Sequence, residues 1–211
     1  RYGMKVWQSY LENKISGAMR MYWVYGPDQK VFEVERLTDL TTDLLTLNEF
    51  DTKELLLDKT TFDIQEVIKN TALSFEGVCT PKHISIQLLL LPDAVFVCAD
   101  KRKIQQVLYN LIDNAIKFSH DNSFIYVTVK EKGDKAQISI KDTGSGIAKK
   151  DIDKIWDRFY KSDASRGRDK KGSGLGLSIT KEIIQAHEML SVLATTGWFS
   201  RMLSPYRSLY L

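Results

Sequence analysis

The most regular hydrophobic pattern in the chain begins just after Asp100 and ends near Phe118. Apolar residues recur there every three or four positions, which is the period of a helix with one buried side. They are Ile104, Val107, Leu108, Leu111, Ile112, Ala115 and Ile116. Asp100 belongs to the residue types that cap helix N-termini. The pattern therefore predicts a helix from Asp100 to about Phe118 whose remaining sides are polar.

Four further segments show helical signals of different strength. Leucines and valine recur at helical spacing over 34–47, which predicts an amphipathic helix that needs a partner helix. Asp63 caps a second, short periodic stretch, and helices are also expected near 149–158 and, after a glycine-rich start, at about 175–187. With the helix that follows Asp100, five helices are therefore expected.

Alternating apolar and polar residues predict strands at 84–90, 94–98, 124–130 and 136–141. The first two strands lie on either side of a Leu-Pro-Asp turn. The last two are joined by Glu-Lys-Gly-Asp, a hairpin signal. The chain therefore mixes strands with helices.

Length and composition limit the class of protein. The chain has 211 residues, 43% of them hydrophobic, which suits one globular domain with an appendage. The apolar run at 88–91 ends at Pro92 and Asp93 and is far shorter than the roughly 20 residues of a membrane-spanning helix. Cys79 and Cys98 lack metal-ligand spacing, so a reducing, cytoplasmic setting is expected. The net charge of +3 comes largely from a loop at 161–171, which predicts no nucleic-acid partner.

Three polar residues share one edge of the predicted helix at 100–118. Asn110, Asn114 and Lys117 are spaced four and then three positions apart, so they project from one face. Amide oxygens suit Mg²⁺ and an ammonium suits phosphate, so this edge can hold a metal-bound nucleotide. An ordinary solvated helix face is the alternative, and it is favoured for this motif taken alone.

Two glycine-rich segments lie further along the chain. Asp-Thr-Gly-Ser-Gly-Ile at 142–147 places an acid at a strand end, where it can accept a hydrogen bond from an adenine amine. The alternative is a turn in which Asp142 bonds its own backbone. Gly-Ser-Gly-Leu-Gly-Leu at 172–177 opens a helix, whose N-terminus attracts phosphate. Arg166 and Arg168 lie in the polar loop between the two segments, which is either an active-site lid or a solvated charged loop.

Together, four segments resemble the N, first glycine, F and second glycine boxes of sensor histidine kinases, in the family's order. They are Asn-x-x-x-Asn-Ala-x-Lys-Phe at 110–118, Asp-x-Gly-x-Gly-Ile at 142–147, Ile-Trp-Asp-Arg-Phe-Tyr at 155–160 and Gly-Ser-Gly-Leu-Gly-Leu at 172–177. The resemblance implies an α+β fold of the Bergerat type, a mixed sheet packed on helices, with an N-terminal helical segment. It implies ATP and Mg²⁺ as ligands.

The resemblance also implies roles for individual residues. Asn110 and Lys117 act on the phosphates as catalytic residues, Asn114 binds Mg²⁺, and Asp142 reads the adenine amine. The remaining nucleotide contacts carried over from the boxes and the lid are Phe118, Gly144, Gly146, Ile147, Arg166, Arg168, Gly172, Gly174, Leu175, Gly176 and Leu177. Trp156, Phe159 and Tyr160 are expected to anchor the start of the lid by packing.

The resemblance implies a kinase that transfers the ATP γ-phosphoryl group to a histidine, with a response regulator as partner. The family's His-Glu-x-x-x-Pro acceptor box is absent, and His83, His120 and His187 do not fit it. The acceptor histidine is therefore expected on a phosphotransfer helix supplied in trans. A catalytically inactive remnant is the alternative. A gyrase-, chaperone- or repair-type ATPase fits less well, because Asn110 stands where those enzymes need glutamate.

The resemblance divides the chain into four parts. Residues 1–33 stay unassigned, 34–58 resemble the second dimerisation and phosphotransfer helix, 60–188 form the catalytic domain, and 189–211 are a divergent tail. A homodimer through 34–58 is expected if a partner helix is present. Because the tail lacks the family's Gly-x-Gly-Thr-x-Phe strand pair, an edge of the sheet is expected to be missing or altered.

Overall fold

The computed structural model describes Thr41, residues 57–132, 135–161 and 173–187, and two short strands further on. The chain divides into two units, Arg1–Thr46 and Leu47–Leu211. Thr41 is helical, whereas the rest of the helix predicted at 34–47 lies outside the described residues, as do residues 1–33. Apart from Thr41, all the described residues belong to the second unit.

The second unit alternates strands with helices. In chain order they are β1 (Lys59–Asp63), α1 (Ile64–Leu73), α2 (Glu76–Cys79), β2 (Ser85–Leu89), β3 (Phe96–Asp100), α3 (Lys101–Phe118), β4 (Phe124–Lys132), β5 (Lys135–Lys141), α4 (Gly176–Ala186), β6 (Val192–Thr195) and β7 (Tyr206–Tyr210). The described part thus has the α+β composition that was predicted.

Helix α3 has the bounds that its sequence pattern predicts. The carboxylate of Asp100 caps it by accepting hydrogen bonds from the backbone N–H groups of Arg102 and Lys103, at 3.0 and 3.1 Å. All seven apolar residues of the predicted stripe are buried, each at most 1% exposed. Burial of such a side chain contributes about 1.5–3 kcal/mol, so this stripe holds α3 against its neighbours. Those neighbours include α1, α4 and β5.

The larger sheet is mixed and has five strands in the order β2-β4-β5-β7-β6. Strand β2 runs parallel to β4, and the other neighbouring pairs are antiparallel. Alternate residues of β4 and β5 are buried and face each other across the strands, for example Val127 with Ile140 and Val129 with Ile138. This alternation is the pattern expected of strands with one face on a core.

The two segments around the Leu-Pro-Asp turn are strands, as predicted, and they belong to different sheets, since β2 joins β4 while β3 joins β1 in a separate two-stranded sheet. Strand β1 was not predicted. The helix predicted near 149–158 is wrong, because the chain forms two three-residue 3₁₀ turns there, Lys149–Asp151 and Lys154–Trp156. A ten-residue segment gains too little from helix propensity alone to stay helical.

The sheet edge beyond β5 is present, although its sequence departs from the family pattern. Strand β7 pairs with β5 over 206–210, and β6 then pairs with β7. Of the two expected outcomes, a missing or an altered edge, the missing edge is wrong, because strand pairing depends on backbone hydrogen bonds that many sequences can make. Among the described helices, none is long and apolar enough to cross a membrane.

His187 ends α4 and joins it to the start of α3. Its Nε2 accepts the backbone N–H of Asp100 at 3.0 Å, and its Nδ1 lies 2.8 Å from the carbonyl oxygen of Ile183. A backbone N–H can only donate, so Nε2 carries no proton and Nδ1 donates to the carbonyl. Burial lowers the pKa of His187 below its ordinary value of 6.5, and Lys59 adds to this, while the Ile183 carbonyl and Asp100 oppose it. The folded chain therefore favours a neutral ring.

We expect the free energy of unfolding to fall as the pH drops below about 6.5, because the unfolded chain then protonates His187 while the folded chain resists it. This contribution is complete above the unfolded pKa and is lost as the pH approaches the folded pKa. Urea unfolding measured from about pH 7.5 to about pH 5.5 checks it. The His187→Gln chain keeps an acceptor for the Asp100 N–H but cannot titrate, so its stability should depend less on pH. Equal losses in the two chains would contradict the expectation.

Candidate nucleotide-binding site

The polar edge of α3 is the centre of the candidate site. Asn110, Asn114 and Lys117 are all partly exposed, whereas the apolar stripe beside them is buried. Their spacing along a regular helix puts the three side chains on one face, as the sequence predicts. Two carboxamides and one ammonium therefore stand along about two turns of a rigid helix.

Asn110 connects α3 to the second glycine segment. Its Nδ2 donates a hydrogen bond to the carbonyl oxygen of Gly176 at 3.0 Å. The same carbonyl accepts the hydroxyl of Thr180 at 2.8 Å. A Cβ added at Gly176 would stand 3.5 Å from Cγ of Asn110, so the glycine backbone and the amide are in direct contact. The donor end of the amide is thus used within the protein, and its oxygen is the acceptor end.

The first glycine segment meets the other end of α3. A Cβ added at Gly144 would overlap the carbonyl oxygen of Phe118 and lie 2.7 Å from its carbonyl carbon. Because both sides of this contact are backbone, no side chain can move aside to relieve it. Glycine is required at 144 for the turn after β5 to pack on the C-terminus of α3.

Asp142 is 2% exposed and stands at the end of β5. Its Oδ1 accepts the N–H of Gly144 at 2.9 Å, and Gly146 has a φ of +71°. The turn interpretation of this segment is therefore confirmed. An adenine contact remains compatible with it, because a carboxylate has two oxygens and about four lone-pair sites.

Lys117 forms an ion pair that sequence reasoning missed. Its Nζ lies 2.6 Å from Oδ2 of Asp113, one helical turn earlier, and both side chains are partly exposed. The spacing of four residues was the available signal. Partly exposed pairs of this kind contribute only about 0.2–1 kcal/mol, so a phosphate can compete for the ammonium at low cost.

The segment before the predicted lid is held differently from the expectation. Phe159 is 62% exposed and has a φ of +63°, so the predicted packing of its side chain is wrong. Its backbone N–H instead donates to the carbonyl oxygen of Gly174 at 3.0 Å. Tyr160 is anchored through its hydroxyl, which donates to the buried carboxylate of Asp151 at 2.8 Å. Sequence reasoning missed Asp151, which stands nine positions before its partner.

The remaining predicted nucleotide contacts differ in whether the structure describes them and in how exposed they are. Arg166, Arg168 and Gly172 lie outside the described residues. Leu175 is fully buried, so only its backbone can meet a ligand. Ile147 and Leu177 are partly exposed, and Gly174 has a φ of +75°, which favours glycine. The described part of the chain contains no group of three or more His, Cys, Asp or Glu residues suited to holding a metal.

A family model supports the class of this fold and site. Residues 99–201 match the model of the histidine kinase-, DNA gyrase B- and HSP90-like ATPases. The match contains α3, both glycine segments and the strands between them. This part of the chain is therefore an ATPase domain of that class.

Relatives narrow the class. The chain is 39% identical to the sensor histidine kinase WalK of Bacillus subtilis over 158 residues, 74% of this chain and 26% of the relative. It thus spans about a quarter of the relative's length. The solved chain of the histidine kinase AdeS of Acinetobacter baumannii has a TM-score of 0.71 at 25% identity, over 99% of this chain and 93% of that chain. This chain carries the ATP-binding catalytic domain of a sensor histidine kinase.

A further solved structure shares the fold. The histidine kinase ThkA, in complex with the response regulator protein TrrA, has a TM-score of 0.66 at 23% identity. The alignment covers 99% of this chain and 61% of the ThkA chain.

Gly144→Ala should destabilise the chain by about 1–3 kcal/mol, because the new Cβ meets the rigid carbonyl group of Phe118. Gly77→Ala is the matched control: it lies in α2, and its added Cβ has no atom within 4 Å. That substitution should leave stability unchanged or raise it by up to about 1 kcal/mol. Urea unfolding followed by circular dichroism measures both, and equal effects would contradict the close approach.

Proposed function

We propose that this domain binds ATP together with Mg²⁺ and transfers the γ-phosphoryl group to a histidine presented by another polypeptide. The observation that carries the proposal is the double contact of α3 with the two glycine segments. Asn110 bonds Gly176, and Phe118 packs on Gly144. One edge of α3 therefore lies between Asp142, a hydrogen-bond acceptor for the adenine amine, and the N-terminus of α4, which can bind phosphate.

The phosphates are assigned to the space between α3 and the N-terminus of α4. Helix α4 has 11 residues, and no side chain among the described residues caps its N-terminus, which lies in the second glycine segment. The first N–H groups of a helix have no partner within the helix. Such helix ends attract phosphate through unpaired N–H groups and the positive end of the helix dipole. Lys117 approaches from α3 and would exchange part of its pairing with Asp113 for the phosphates. Asp142 and Gly144 are assigned to the adenine.

Mg²⁺ fits the chemistry of this edge. Asn114 offers a hard amide oxygen, and the described residues contain no carboxylate cluster that would form a complete metal cage. Mg²⁺ commonly takes only one or two protein ligands and completes its shell with phosphates and water. Asn114 would hold the ion beside the nucleotide, where its charge would neutralise phosphate oxygens.

The residues favour transfer to an imidazole over hydrolysis. In the transfer the bond between the γ-phosphorus and the bridging oxygen breaks, a bond to an imidazole nitrogen forms, and ADP leaves. Neutral imidazole carries a lone pair and needs no base to expose it. Water does need one, and the amide of Asn110 cannot accept a proton. Positioning and charge neutralisation then provide most of the catalysis.

The acceptor histidine is assigned to another chain. His83 is exposed and has a left-handed backbone, with a φ of +52°, and His120 is exposed beyond the end of α3. His187 is 7% exposed, and both of its ring nitrogens are within hydrogen-bond distance of backbone atoms. None of these three presents a free imidazole from a helix surface.

Further partners are part of the same proposal. The solved structure of ThkA contains a response regulator protein, which supports a response regulator as the later phosphoryl acceptor here. A homodimer through 34–58 is proposed on the sequence pattern, and those residues lie almost wholly outside the described part. A domain that consumes ATP fits the cytoplasm. The competing candidate is a nucleotide-binding remnant without transfer activity, favoured by the absence of an acceptor box.

Mg²⁺-dependent ATP binding should weaken about ten- to hundredfold in both Asn114→Ala and Asp142→Asn. The first variant loses the proposed Mg²⁺ ligand, and the second loses a carboxylate oxygen that would accept the adenine amine. Isothermal titration calorimetry measures this directly. Asp153→Asn removes a similar charge from an exposed position between the two glycine segments, so its affinity should match that of the unchanged chain. Equal affinities in all four proteins would contradict the assigned site.

Transfer is tested with a separate helical hairpin that carries the His-Glu-x-x-x-Pro box typical of the sensor histidine kinase family. With ATP labelled at the γ position, label should pass to the hairpin only in the presence of this chain. A hairpin with glutamine in place of its acceptor histidine should stay unlabelled. Binding of ATP without any transfer would favour the inactive remnant over the kinase.

A further inference from the structure

Helices α3 and α4 are connected by two hydrogen bonds at widely separated points. Asn110 of α3 donates to the carbonyl of Gly176 at the start of α4. The backbone N–H of Asp100, the N-cap of α3, donates to Nε2 of His187, which ends α4. Residue numbers rise along one helix as they fall along the other, so the two helices run antiparallel between these bonds.

The spacing between the two bonds is nearly the same along both helices. They are ten residues apart along α3 and eleven along α4. At a rise of 1.5 Å per residue, these separations are about 15 and about 16.5 Å. Because the helices are stiff and nearly equal over this span, the Asp100–His187 bond defines which residue of α4 stands beside Asn110.

Asp100 makes this connection firm. Its Oδ1 caps α3, and its Oδ2 accepts the backbone N–H of Asp58 at 3.1 Å. Asp100 is 8% and His187 7% exposed, so both are buried. A buried polar group that loses its partner costs about 1–3 kcal/mol, so the ring of His187 cannot leave Asp100 cheaply.

We propose that His187 is a positioning residue, whose bond to Asp100 sets the register of α4 along α3 and thereby places the second glycine segment beside Asn110. The site itself lies about 15 Å away along α3. The consequence for nucleotide binding rests on the proposed function, whereas the register does not. A change at His187 moves α4 as a rod, and Gly176 at its far end moves with it.

Charged groups near the ring determine how its protonation acts. Asp100 lies at the end of β3, and Lys59 faces it from the paired strand β1. A proton on Nε2 would point at the N–H of Asp100 and break the bond. The carboxylate of Asp100 favours the charged ring and Lys59 opposes it. Because protonation removes the acceptor for the Asp100 N–H, we expect it to change the register of α4.

The experiment compares the full chain with its His187→Gln and His187→Leu variants at about pH 7.5. Glutamine preserves an acceptor for the Asp100 N–H, whereas leucine does not. The first readout is nuclear magnetic resonance of the Asn110 side-chain amide and the Gly176 backbone amide without nucleotide. We expect both resonances to shift in the leucine variant and to return towards the original positions in the glutamine variant. Unchanged Asn110 and Gly176 resonances in a folded leucine variant would overturn the proposal.

The second readout is ATP affinity, which we expect to fall about tenfold in the leucine variant and to recover in the glutamine variant, within the usual range for coupled sites. A leucine variant that is less stable but binds ATP unchanged would overturn the proposal, because His187 would then be only structural. If the leucine chain does not fold, the pH of the original and glutamine chains is lowered from about 6.5 until the His187 ring of the folded original chain is protonated, and the Asn110 amide should then shift only in the original. A shift in both or in neither would overturn it.

Failure of the original chain to bind ATP would contradict the proposed function. The register of α4 would then be decided by the resonance test alone.

Discussion

Burial of one side of α3 is the constraint on which the described domain depends. Seven apolar side chains of this helix are removed from water, and α1, α4 and β5 supply the surfaces that cover them. Since the orientation of the helix about its axis is set by that stripe, the polar edge beside it has only one direction to face. The hydrophobic core therefore orients Asn110, Asn114 and Lys117, although none of the three belongs to it.

Close backbone approach then brings the rest of the site to this edge. Gly144 meets the last carbonyl of α3, and Gly176 meets the amide of Asn110. The first contact requires a glycine, because an added Cβ would overlap the carbonyl oxygen of Phe118, and the second is a hydrogen bond from the Asn110 amide to the carbonyl of Gly176. The same geometry allows the adenine contact proposed for Asp142 to coexist with a turn, since its carboxylate stabilises its own turn while standing at the end of a sheet strand. A site built this way is formed largely before any nucleotide arrives, which limits the ordering cost of binding.

Sequence reasoning failed where local pattern and tertiary context disagreed. The apolar spacing at 149–158 resembles a helix, yet tertiary bonds such as the one from Tyr160 to Asp151 organise that segment into short turns. Phe159 was expected to pack because it is aromatic, but its backbone is the part that makes the contact. Strands β6 and β7 lie at the sheet edge despite an unfamiliar sequence, because ladder hydrogen bonds come from the backbone. Partners nine or more positions apart, such as Asp151 and Tyr160, leave no periodic signal.

The sequence by itself determined the elements that depend on local periodicity and on special residue types. These are α3 with its cap, the hairpin of β4 and β5, the glycine segments and the order of the four boxes. Such features depend on neighbours within a few positions, so they can be read along the chain. Only the tertiary structure decided which distant residues meet: Asn110 with Gly176, Phe118 with Gly144, and Asp100 with His187 across 87 positions. Those pairings follow from how buried faces pack in three dimensions, and no one-dimensional spacing encodes them.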